Sequence, residues 1–139
     1  MQHSAIRWAA LVGLAAVTLV AAGTLYGQDA SSARAHGKGV EIDLRCAPLD
    51  PRAPLDQSCE AVVTYANDGE PVTGAELTLE GVRPGKGDRA TGDPVRPFGE
   101  PGHYTGTISL SAYGGWVLSA TMEAPAEGTV ELTQEVLPP

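Results

Sequence analysis

Two of the three histidines, the two cysteines and a run of aromatic residues are the side chains with chemistry to offer. The stretch "PGHYTGTISLSAYGGWVLSA", residues 101–120, gathers His103, Tyr104, Tyr113 and Trp116 among small residues. Copper favours imidazole nitrogen, and a histidine at a free N-terminus adds its amine. His36 would hold that place if the chain were cut after Ala35, with His103 as a distant second imidazole. These two are weak metal candidates, because the idea needs one particular cut and an approach of two residues far apart in sequence; no metal or other cofactor is otherwise expected. Cys46 and Cys59 flank twelve residues, "APLDPRAPLDQS". Redox pairs usually stand two residues apart, and zinc would need two further ligands nearby, so a structural disulfide is expected. Closing that loop stabilises by about 3 kcal/mol in the chain-entropy account.

Catalytic constellations are missing from the pattern. No "G-x-S-x-G" occurs, and no histidine stands where a serine and an acid converge. "GVRPGKG", residues 81–87, fails as a phosphate loop: its first glycine is one residue too close, and Gly87 replaces the required Ser or Thr. Glu76, Glu80, Glu131 and Glu135 alternate outward along strand-like segments, the pattern of a solvated face. A catalytic residue is therefore not expected.

These residues need a scaffold, and the first part of the chain tells where it resides. Residues 8–26, "WAALVGLAAVTLVAAGTLY", carry no charge and follow Arg7. Nineteen such residues are long enough to cross a hydrocarbon core of roughly 30 Å as a helix. "VAAG" and the "ARA" before His36 fit small-residue cleavage sites loosely. A signal peptide and an uncleaved anchor both remain open for residues 1–35, and either places residues 36–139 outside the cytoplasm. Of nine Lys+Arg and seventeen Asp+Glu, Arg7, Arg34 and Asp29 fall in residues 1–35, which leaves seven against sixteen. A net charge of about −9 repels phosphate backbones, so a nucleic-acid partner is not expected.

Beyond residue 36 the apolar residues repeat every second position. Val40, Ile42, Leu44 and Cys46 alternate with charges, and Ala75, Leu77 and Leu79 alternate with Glu76, Thr78 and Glu80. Tyr104, Gly106, Ile108 and Leu110 share a face, as do Trp116, Leu118, Ala120 and Met122, and then Val130, Leu132 and Val136. "AVVTYA", residues 61–66, alternates least and reads as buried on both faces. Gly- and Pro-rich turns separate these six segments, and none has helical period. A single sheet would leave one apolar face wet. The predicted fold is an all-β, immunoglobulin-like antiparallel sandwich of about six or seven strands, preceded by one N-terminal hydrophobic helix. In it Tyr104 and Trp116 fill the interior, Tyr113 stays at the surface beside its turn, and His103 faces solvent.

Residues 83–102, "RPGKGDRATGDPVRPFGEPG", hold five glycines and four prolines without periodicity. Loops of this length are commonly functional or disordered. This one carries Arg83, Lys86, Arg89 and Arg96, four of the seven cations after residue 35, together with Phe98, the only phenylalanine. On an acidic body such a loop is directional, and it is expected to meet a protein partner. A short edge strand at "PVRPF" is compatible with its prolines.

Three segments, "DGEPVTGAELTLEG", "PGHYTGTISL" and "GGWVLSA", resemble the exported bacterial immunoglobulin-like domains called YtkA-like, which are related to the FixH proteins of cytochrome-oxidase assembly. The resemblance spans roughly residues 60–123 and leaves the first cysteine strand outside. It implies a sandwich domain acting as a non-enzymatic binding or accessory module of the cell envelope. The alternative it implies is copper handling or cytochrome-oxidase assembly. Some relatives carry methionine and histidine sets suited to copper; here Met122 is the only methionine after the apolar run, and it falls in phase with Trp116 on the inward face.

Overall fold

The computed structural model describes residues 30–139. Nine strands follow one another: β1 (Ser31–His36), β2 (Val40–Pro48), β3 (Asp56–Tyr65), β4 (Glu76–Val82), β5 (Arg89–Thr91), β6 (Arg96–Pro97), β7 (His103–Ser109), β8 (Gly114–Ala124) and β9 (Gly128–Val136). They form two antiparallel sheets, β1-β2-β3-β7-β6 and β5-β4-β8-β9. The expected helix lies outside the described residues, as does the apolar run.

The alternation read from the sequence is the reason two sheets form. Val40, Ile42, Leu44 and Val63 of the first sheet are buried against Leu79, Leu118, Met122 and Leu132 of the second. The intervening outward positions are mostly Glu, Asp, Arg, Ser and Thr, so each sheet keeps one wet face. β3 departs from expectation. It does not bury both faces: Gln57, Cys59, Ala61 and Val63 point inward, while Ser58, Glu60, Val62 and Thr64 do not. The interior is only two layers thick, so a strand between β2 and β7 has core on one side alone.

β1 crosses the boundary expected between residues 35 and 36. It pairs with β2 from Ser31↔Cys46 to His36↔Glu41, and Ser31 and Ala33 are buried. The two open sides of the sandwich close differently. On one, β1 lies against β9, where Gly37 is so near Gly128 that a Cβ on it would meet Glu127 O at 2.5 Å. On the other, the chain crosses from β5 in one sheet to β6 in the other through residues 92–95. The Gly92 amide bonds Leu79 O, and the Asp93 amide bonds Thr107 O, stitching both sheets to the crossover. The glycine-rich stretch 83–102 is thus an ordered edge with two short strands.

Candidate functional site

Tyr104 sits on β7, with its ring inside and its hydroxyl at the β3–β4 connection. That hydroxyl donates to Val72 O and accepts from the Ala75 amide at 3.1 Å. The "PVTGA" segment therefore folds around a tyrosine 29–32 residues further on. Gly74 in this turn takes a φ of 72°, and Gly102, at 86°, lies under Pro71, where a Cβ would stand 2.8 Å from Pro71 Cβ. No β-carbon-bearing residue fits Gly102 without displacing that proline. The "PVTGA" and "PGHY" segments are thus two halves of one packing arrangement, which fixes the entry of β4.

Trp116 is likewise fully buried, and its indole Nε1 donates to Ala112 O at 2.9 Å. Gly81 of β4 lies beneath the ring: a Cβ there would come 3.3 Å from Trp116 Cε3. Both aromatic residues have their polar atom tied to backbone, the usual state of a buried Tyr or Trp. Tyr113 is exposed, as expected from its turn.

His103 is half-buried on the outer face of the first sheet. Glu60 Oε2 lies 3.9 Å from its Nδ1, and Glu100 Oε1 lies 3.8 Å from its Nε2. His36 stands at the exposed end of β1 on the same sheet, with β2 and β3 between it and β7. Three strand spacings amount to about 14 Å, too far for one ion to bind both rings. Cys46 and Cys59 are register partners across β2 and β3, joined as a buried disulfide with Cα atoms 4.1 Å apart. Met122 is buried. Among the described residues no three His, Cys, Asp or Glu side chains gather as a metal centre. The donors among the described residues do not make up a copper-binding set.

The cations of residues 83–102 do not form one patch. Arg83 is committed: its Nε meets Asp88 Oδ2 at 2.8 Å, and an Nη donates to Tyr113 O at 2.6 Å. With Lys86 it borders an open depression of about 430 Å³ over Gly114 and Gly115, at the end of the second sheet. Arg89 lies opposite Val82 on the same sheet. Arg96 belongs to the first sheet, opposite Thr105, and Phe98 projects beyond it, 64% exposed. Elsewhere Arg34 reaches Glu41 at 3.0 Å and Asp43 at 3.1 Å. Its hydrogen bond to Asp43, and then that carboxylate's charge, hold its pKa above the ordinary value.

A buried polar cluster lies beside the disulfide, and sequence reading missed it. Gln134 of β9 donates to Gln57 Oε1 at 2.8 Å and accepts from the Ser31 hydroxyl. Gln57 in turn donates to Pro54 O at 2.8 Å. The signal was present in "VELTQEV", where Gln134 holds the inward phase between Leu132 and Val136. Every side-chain polar atom buried among the described residues has a partner, so this cluster ties β1, β3 and β9 together rather than presenting groups to a ligand.

The profile described as YtkA-like matches residues 34–121. The chain belongs to the YtkA-like family. The match begins inside β1 and includes both cysteines, so the disulfide strand, expected to lie outside the resemblance, is part of the YtkA-like region. No curated protein matches the chain. Among solved structures, a DUF4426 family protein from Pseudomonas aeruginosa shares 14% identity at a TM-score of 0.58, covering 78% of this chain and 96% of its own. A copper-bound variant of FetP from uropathogenic Escherichia coli strain F11 shares 14% identity at 0.56, covering 78% and 98%. The as-isolated form of that FetP, expressed in the periplasm, gives 14% and 0.56, covering 80% and 99%. At these identities the likeness of the YtkA-like domain to them is one of fold.

Proposed function

We propose that this YtkA-like protein is a non-enzymatic accessory module outside the cytoplasm that holds a protein partner at its β6–β7 end, tethered or directed there by residues 1–35. The observation that carries this is Phe98. It is the most exposed large apolar side chain of the described residues, held on a tight turn by its amide bond to His103 O, with Arg96 two residues before it. Exposed aromatic and arginine side chains are the usual anchors of protein interfaces. The buried aromatic and amide groups support a non-catalytic reading, because Tyr104, Trp116, Gln57 and Gln134 are spent on internal bonds. The disulfide suits an oxidising compartment. Copper handling, which the copper-bound FetP neighbour suggests, would need ligands this chain does not assemble among its described residues.

A photo-crosslinking residue placed at 98, and as reference at 131 on the acidic outer face of β9, tests the reading in the native envelope. A discrete adduct from position 98 and none from 131 is expected. Equal adducts from both, or none from 98, would reject a partner at this end.

A further inference from the structure

We propose that the end of the sandwich opposite Phe98 rests on the headgroups of an anionic lipid bilayer. This builds on the tethered reading of residues 1–35. The register places four parts of the chain at that end: the β2–β3 connection, since Pro48 faces Gln57; the β4–β5 connection, since Val82 faces Arg89; the β7–β8 connection, since Asp56 faces Ser109; and the residues after β9, since Gly114 faces Val136. The start of β1 is there too, Ser31 lying opposite Cys46.

The length of chain before β1 decides which end meets the lipid. Only residues 27–30 separate the apolar run 8–26 from Ser31, and four residues reach at most about 14 Å. An apolar run held in a bilayer therefore keeps this end, and not the other, against the surface.

The side chains at that end suit the position. Leu49 on the β2–β3 connection is 60% exposed, Tyr113 on the β7–β8 connection 40%, and Leu137 after β9 39%. Exposed apolar and aromatic side chains gathered at one end suit insertion among headgroups. Tyrosine is a common residue at the membrane–water boundary. Charge divides the same way. The three connections at this end carry Arg52, Arg83 and Lys86 against Asp50 and Asp88. Those at the far end carry Lys38 against Asp68, Glu70, Glu100 and Glu127. An anionic surface attracts nearby cations and repels the acidic end. Arg52 and Lys86 are exposed and make no salt bridge among the described residues, so both are free to meet headgroups. Seated in this way, the module presents Phe98 and Tyr65 away from the membrane.

The full chain in nanodiscs provides the test, by hydroxyl-radical footprinting with Tyr65 and Phe98 as internal references. In phosphatidylglycerol-containing discs, oxidation of Leu49, Tyr113 and Leu137 is expected to fall severalfold relative to those references. In zwitterionic discs, or with Arg52→Glu and Lys86→Glu combined, the protection is expected to be largely lost. Equal oxidation at both ends of a chain that stays with the discs would overturn the proposal and leave the tether standing. Protection indifferent to lipid charge would overturn the anionic-headgroup assignment. A chain that elutes apart from the discs would overturn the tether and the proposal together.

Discussion

Trp116→Ala is expected to destabilise the domain by about 3–5 kcal/mol, the range for truncating a large buried aromatic residue. The upper part of that range applies here for three reasons. The indole is fully buried, so its whole apolar area returns to water on unfolding. Gly81 lies beneath it and has no side chain to move into the space. Ala112 O loses its donor, which leaves the Ser111–Tyr113 turn without its tie to β8. Since a domain of this size is stable by only 5–15 kcal/mol, the variant sits near the threshold of folding. Urea denaturation read by circular dichroism would show the midpoint fall steeply. Trp116→Phe, which keeps most of the packing, should cost less than Trp116→Ala, with about 1 kcal/mol of the loss coming from the hydrogen bond. A midpoint unchanged in Trp116→Ala would mean that the ring does not fill the interior.

The second large effect concerns Cys46 and Cys59. Their bond links directly opposed residues of adjacent strands, with a sequence separation of 13. It joins two strands of one sheet, with both cysteines buried in the core between the sheets; as a covalent tie, its main contribution lies in the unfolded chain, where it holds the ends of that loop together. Reduction should lower stability by about 3 kcal/mol. The native β2–β3 pairing should survive, because Ile42↔Val63 and Leu44↔Ala61 continue the same ladder beyond the cysteines. The expected result is a lower denaturation midpoint under reductant with the native spectrum retained below it. Verified reduction with no shift of midpoint would contradict this.

Much of the sandwich was legible because large apolar residues alternate with charged ones over five to seven positions, as in Val40–Cys46. Where that contrast weakens, the reading fails for identifiable reasons. In β1 the inward residues are Ser31, Ala33 and Ala35, too small to mark a face, and their nearness to the apolar run drew them into the leader. β5 and β6 have three and two residues, shorter than one full alternation. Gln57 and Gln134 hold inward phase, but a polar residue there reads as an interruption unless its partner is known, and theirs lie 77 residues apart. The cationic loop misled in another way. Its charges are close in sequence, yet the crossover deals Arg89 to one sheet and Arg96 to the other, while Asp88 neutralises Arg83. The interior role of Tyr104 was visible from phase; the service of its hydroxyl to Val72 and Ala75 was not, since nothing local marks a bond across about 30 residues.

Tyr104 and Trp116 fill the interior and do not line a site. Fluorine NMR of the full chain carrying 5-fluorotryptophan, with Trp8→Phe to assign the two signals, measures this at Trp116 directly. A buried Trp116 gives a resonance with no solvent isotope shift between H2O and D2O and no broadening by a soluble paramagnetic agent. A shift and broadening like those of free fluorotryptophan would show the ring open to water, and the structural reading of this segment would be wrong.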